Sequence, residues 1–118
     1  SIMARIITAI QLIKPDANCS VSGDDINNIK WYDGNPENIT AAQIESKLAE
    51  ADLKISFQEL RDKRNNLLTK SDWTVLPDSP IADKTAWQTY RQELRDITSG
   101  LTTIEDIKAV TWPTKPGA

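Results

Sequence analysis

The segment Arg5 to Lys14, RIITAIQLIK, places Ile6, Thr8, Ile10 and Leu12 on one face of an extended chain and Ile7, Ala9, Gln11 and Ile13 on the other. β-Branched residues favour extended backbone. The segment is therefore predicted to be a strand, ended by Pro15 and Asp16. Residues 17 to 28 are rich in turn formers (Ser22, Gly23, Asp24, Asp25, Asn27, Asn28) and leave room for a short strand at Cys19 to Val21. Ile29 to Tyr32 reads as a further strand, closed by Asp33-Gly34-Asn35-Pro36. Two or three short strands predict a small antiparallel sheet.

From Thr40 the period changes. Thr40 with Gln43 three residues later has the form of a capping box, and no Gly or Pro interrupts residues 37 to 76. Ile44, Leu48, Ala51 and Ile55 form one helical stripe; Leu53, Phe57, Leu60, Arg64 and Leu67 form a second, offset one. A helix from about residue 41 to about residue 70, roughly 45 Å at 1.5 Å per residue, is expected, with its partner surface changing or a kink forming near residues 53 to 57. SDWTVLPDSP, residues 71 to 80, is a loop. A second helix over Ile81 to Ile97, capped by Asp83 or Ser79, presents Trp87, Tyr90, Leu94 and Ile97 on one face. The short connection predicts a helical hairpin. Leu101 to Val110 supports one more turn of helix behind Thr103. Thr111 to Ala118, TWPTKPGA, reads as an extended tail anchored by Trp112. The fold class is therefore α+β: a small N-terminal antiparallel sheet, a long helix, a C-terminal helical hairpin and an extended tail. The expected division is a β region over 1–38 and a helical module over 39–118.

The 118 residues carry 14 basic and 17 acidic side chains, a formal net charge of -3, which is a poor match to nucleic acid phosphates. No apolar run approaches the roughly 20 residues of a membrane span. Ile6 to Ile13 lacks the layout of a signal peptide. The single cysteine, Cys19, excludes an intramolecular disulfide. With no histidine, the commonest general base and metal ligand are missing, and Cys19 has no histidine to activate it. Neither a GxxxxGK[ST] nor a GxGxxG loop is present. The loop carboxylates Asp24, Asp25, Asp33 and Glu37 lack an evident cleft, and Asp33 to Asn38 does not meet the calcium-loop pattern. The repeated ELRD of Glu59 to Asp62 and Glu93 to Asp96 is a property of two helices rather than of a repeat architecture. No cofactor, metal or catalytic constellation is expected.

Four tryptophans remain, at positions 31, 73, 87 and 112. Trp73 and Trp87 are expected to lock the loop onto the hairpin, with an interface role as the alternative. Trp31 and Trp112, nearer the ends, are candidate partner contacts. So are Ile44, Leu48 and Ile55 of the first stripe, unless the N-terminal strands fold back and bury it.

Residues 59 to 97 carry a more specific pattern. Glu59-Leu60-Arg61-Asp62-Lys63-Arg64-Asn65-Asn66-Leu67-Leu68 leads into Ser71-Asp72-Trp73-Thr74-Val75-Leu76-Pro77-Asp78-Ser79-Pro80. Then follow Ala86-Trp87, Tyr90-Arg91-Gln92 and Leu94-Arg95-Asp96-Ile97, with Trp112-Pro113 and Pro116 near the end. This resembles the C-terminal module of bacteriophage tail-fibre assembly and tail assembly chaperone proteins. The order DWTxLPDxP, AWxxYRQxLRDI, WPxxP carries the resemblance across about half the chain. It departs between Ile97 and Trp112, where TSGLTTIEDIKAVT replaces a Pro-rich link. The resemblance implies a non-enzymatic tail protein that assists assembly of the tail or its fibres in the host cytoplasm, or an adaptor kept in the virion tail. The implied partners are tail-fibre or other tail proteins or a second copy of the chain, with neither nucleic acid nor membrane. In a clamp of this kind Asp72 bonds nearby backbone amides, Pro77 and Pro80 fix the turn, and Tyr90 and Arg91 stand opposite on the second helix.

Overall fold

The computed structural model describes residues 2–117; Ser1 and Ala118, the outer ends of the two expected segments, lie outside the described residues. The elements run α1 (Ile2–Ile13), β1 (Cys19–Val21), β2 (Ile29–Trp31), α2 (Ala41–Glu45), α3 (Leu48–Ser71), a 3₁₀ turn (Asp72–Val75), α4 (Lys84–Arg95) and α5 (Ile104–Lys108). The fold is α+β and mostly helical. It forms two compact units, Ser1–Ile55 and Ser56–Ala118, with α3 contributing residues to both.

The first unit corrects the strand expected over Arg5 to Lys14, which is helical. The same residues also satisfy a period of 3.6. Ile6, Ala9 and Ile10, at i, i+3 and i+4, are buried on one stripe, while Thr8 is only half-buried. Burying that stripe outweighs the preference of isoleucine and threonine for extended backbone, which is a weak prior. Pro15 ends the element as a helix instead of as a strand.

β1 and β2 pair antiparallel with Cys19 opposite Trp31 and Val21 opposite Ile29. The connecting turn needs left-handed backbone at Gly23 (φ 64°) and Asp24 (φ 54°), which glycine and aspartate tolerate. A lone hairpin is marginal in water. This one is held by Val21, Ile29 and Trp31 packing with Ile6, Ala9, Ile10, Ile39, Ile44 and Ala51 in one core. Two polar ties fix α1 in that core. Arg5 donates to both carboxylate oxygens of Asp52 at 2.6 and 2.9 Å. Lys14 Nζ donates to Asp33 at 3.1 Å.

The expected capping box opens α2. The Gln43 amide donates to Thr40 Oγ1 at 3.2 Å and the Thr40 amide to Gln43 Oε1 at 2.8 Å. The expected long helix forms, but it starts at Leu48 rather than at about residue 41, and of the two alternatives for its change of stripe the kink near 53 to 57 is absent, since α3 runs unbroken to Ser71. The break falls at Ser46 and Lys47. Ser46 Oγ donates to the Gln43 carbonyl at 2.6 Å and the Lys47 amide turns back to Ile44 O at 3.0 Å, drawing the backbone out of the α-helical ladder.

In the second unit α3 and α4 run antiparallel. Arg91 of α4 reaches Leu68 and Ser71 of α3, and Arg64 reaches the carbonyl of Arg95. Asp83 caps α4 by accepting from the Ala86 amide at 2.9 Å. Trp87, Tyr90 and Leu94 are buried against Leu67, Leu68, Ile81 and Trp112. Ile97, expected on the same face, lies past the helix end and is half-buried. Thr103 and Asp106 form a second capping box and start α5.

Candidate functional site

The SDWT segment continues α3 into one 3₁₀ turn. Residues three apart on such a turn eclipse one another, so Ser71 and Thr74 share a face. Both are buried. Thr74 Oγ1 donates to Ser71 O at 2.6 Å, which satisfies the inward hydroxyl. The same geometry brings Trp73 and Leu76 onto one outward edge, and the Leu76 amide donates back to Trp73 O at 3.4 Å. Trp73 is 48% exposed, Val75 46% and Leu76 52%. Three apolar residues on either side of buried Thr74 are thus left exposed to solvent within one turn.

Arg91 fastens the turn to α4. It donates from Nη1 to Leu68 O at 2.8 Å and Ser71 Oγ at 2.6 Å, and its Nη2 pairs with Asp72 at 2.9 Å. Its side chain is only 13% exposed. The helix carbonyl, the hydroxyl and the carboxylate are therefore drawn onto one planar cation, a geometry suited to guanidinium. Asp72, expected to bond backbone amides, serves the clamp through Arg91 instead. Trp87 packs edge-on against Tyr90, with centroids 5.7 Å apart, and Trp73 leans on Trp87 at 6.3 Å. Trp87 is the buried tryptophan of the pair, and the expected lock rests on it. Trp73 leaves about half its surface free. Beside it lies a cavity of about 290 Å³ walled by Leu67, Trp73, Trp87 and Tyr90, with Lys70 and Lys115 among its lining residues.

The five sequence-derived contact candidates fall in different places. Trp31, Ile44 and Leu48 come together in the first core, Ile44 fully buried and the other two half-buried against it. The stripe offered as a partner contact is covered over Ile44 and Ala51 by the first unit's own elements. Ile55 is half-buried on α3. Trp112 is half-buried against the second core, with Lys63 Nζ 4.4 Å from its ring centroid. Of the outward set, an interface role was foreseen from sequence for Trp73 alone, as the alternative to the lock; Val75, Leu76 and the exposed Tyr32 beside Trp31 were not named as contact candidates. The usable signal was the spacing of Ser71 and Thr74.

The titratable groups that depart from their ordinary values serve structure. The Asn18 and Asn35 amides, then Lys14, hold Asp33 below the usual aspartate range. The Thr102 and Thr103 amides and hydroxyls do the same for Asp106. Burial, then the Asp33 charge, push the Cys19 thiol up. A lowered carboxylate is a good cap and a poor proton donor. Among the described residues, no three His, Cys, Asp or Glu side chains are grouped to hold a metal ion, and no helix is long and apolar enough to cross a membrane.

The family model for phage tail assembly chaperone protein matches residues 57–117. The chain belongs to that family. The matched segment covers just over half of the chain and all but coincides with the second compact unit, Ser56–Ala118. The Arg91 clamp, the Trp87 core and the outward Trp73 edge are therefore all features of the chaperone segment. No curated protein and no solved structure gives a significant match.

Proposed function

We propose that this phage tail assembly protein acts by binding, without chemistry of its own, and that its docking edge is Trp73, Val75 and Leu76. The carrying observation is that edge: three apolar residues held outward within the family segment by a buried Ser71–Thr74 pair and a partly buried Arg91. Aromatic anchors with a rigid backing are what binding energy concentrates on. The partner is a tail protein or a tail-fibre protein, met in the host cytoplasm during assembly. The protein leaves once assembly is complete. Trp31, Leu48, Ile55 and Trp112 keep part of their surface free and supply secondary contacts, while Ile44 acts only by holding the first core.

The test is co-expression with each tail and fibre protein of the same phage, followed by size-exclusion chromatography with light scattering. A defined complex with one of them, together with absence of the chain from purified particles by mass spectrometry, is expected. Stoichiometric presence in particles would instead make it a virion adaptor. Failure to form a complex with any tail protein would remove the binding reading.

A further inference from the structure

The cavity beside Trp73 has a chemistry that the docking edge alone does not. A cavity of roughly 150 Å³ holds a benzene ring, so about 290 Å³ accommodates one large apolar side chain and the backbone that carries it. It lies at the bottom of the roughly 300–1,000 Å³ range of small-molecule sites, which favours a single protein side chain over a cofactor. Its walls are Leu67, Trp87, Tyr90 and the inner side of Trp73. Its two charged lining residues, Lys70 and Lys115, have the same sign, and both are exposed. Asp72, the carboxylate next in sequence to the cavity, is taken up by Arg91. Among the described residues neither lysine has a carboxylate within 4 Å. Two lysines converging on an aromatic cavity complement a carboxylate-bearing segment.

We infer that the cavity receives an acidic segment of the partner tail protein, one large apolar side chain entering between Trp73, Trp87 and Tyr90 and flanking carboxylates meeting Lys70 and Lys115. This inference rests on the binding role proposed above and adds the chemical class of what is bound. The lysines supply sign selectivity and salt dependence; the aromatic walls supply the apolar contact.

The test uses the full chain, labelled for indole N–H NMR, and three blocked hexapeptides: Glu-Asp-Leu-Phe-Asp-Glu, Lys-Lys-Leu-Phe-Lys-Lys and Glu-Asp-Ser-Ser-Asp-Glu. The first should shift the Trp73 and Trp87 signals and leave Trp31 unmoved; the other two should bind at least tenfold more weakly. Lys70→Gln/Lys115→Gln should weaken the first peptide about tenfold, and Lys70→Glu/Lys115→Glu should reverse the preference toward the lysine peptide, with melting temperatures close to the parent's. Equal binding of the acidic and basic peptides, or no shift at Trp73 and Trp87, overturns the inference. The two levels separate cleanly. A tail-protein complex that forms equally well with Lys70→Glu/Lys115→Glu sinks the acidic-segment inference alone, whereas no complex with the parent chain sinks the binding role itself.

Discussion

Trp87 and Trp73 touch each other, yet their truncations should differ. Trp87 is 9% exposed and Trp73 is 48% exposed. A buried tryptophan removes about 150–250 Å² from water. At about 25 cal/mol per Å² that is roughly 4–6 kcal/mol, an upper estimate because the unfolded chain already buries part of it. Losing the edge-to-face contact with Tyr90 adds to the loss, and measured Trp→Ala changes in cores cost about 3–5 kcal/mol. Trp87→Ala is therefore expected to cost about 4 kcal/mol. Trp73→Ala, with roughly half the buried area, should cost about 2 kcal/mol on the same scale. A unit of this size is stable by about 3–9 kcal/mol, so the first variant should be close to unfolding and the second should remain folded. Urea titration followed by the amide NMR signals of α4 reports this unit alone. Equal losses, or a larger loss for Trp73→Ala, would refute the reasoning that the 3₁₀ turn directs Trp73 outward.

Arg91→Lys keeps the charge but cannot reach Leu68 O, Ser71 Oγ and Asp72 together; it should cost about 2 kcal/mol in chemical denaturation, within the range for hydrogen bonds to charged groups, and a loss near zero would show the clamp to be incidental. Ile10→Ala, at a fully buried position of α1, should cost about 2–5 kcal/mol; a melt overlaying the parent's would contradict the helical placement of this segment. Asp33 has a lowered pKa, so it stabilises the fold at neutral pH and that contribution is lost as pH falls below the ordinary aspartate value of about 3.9 toward its own. Asp33→Asn should be less stable than the parent at neutral pH and show a flatter acid limb in pH-dependent denaturation; an unchanged acid limb would count against the Asp33 ties.

What sequence revealed here was local. Thr40 with Gln43, Asp83 with Ala86, and Thr103 with Asp106 each determine a helix start within four residues, and the β1–β2 turn announces itself through Gly23 and its polar neighbours. α1 was hidden because Ile6 to Ile13 satisfies both a period of two and a period of 3.6. Only the surface that β1 and α2 offer decides between them. The break at Ser46 depends on one hydroxyl choosing a backbone carbonyl, a choice composition does not encode. The outward edge was harder still. A single 3₁₀ turn has too few residues to establish a period, so Trp73, Val75 and Leu76 resemble core residues until Ser71 and Thr74 are seen to occupy the inside. Sequence set Trp31 and Trp112 apart from Trp73 by their places nearer the ends; in the structure each rests against a core, while Trp73 lies half outside one.

The docking edge can be tested in the phage itself. Val75→Asp/Leu76→Asp places two charges on side chains that are about half exposed, while leaving Trp73, the Ser71–Thr74 pair and the Arg91 clamp in place. A phage lacking this gene is complemented with the parent chain or with the double variant, after circular dichroism shows the two to melt alike, and complete tails are counted by electron microscopy. The docking role of this edge predicts that the parent restores tails and that the folded variant lowers their number at least tenfold. A folded variant that restores tails as well as the parent would contradict it.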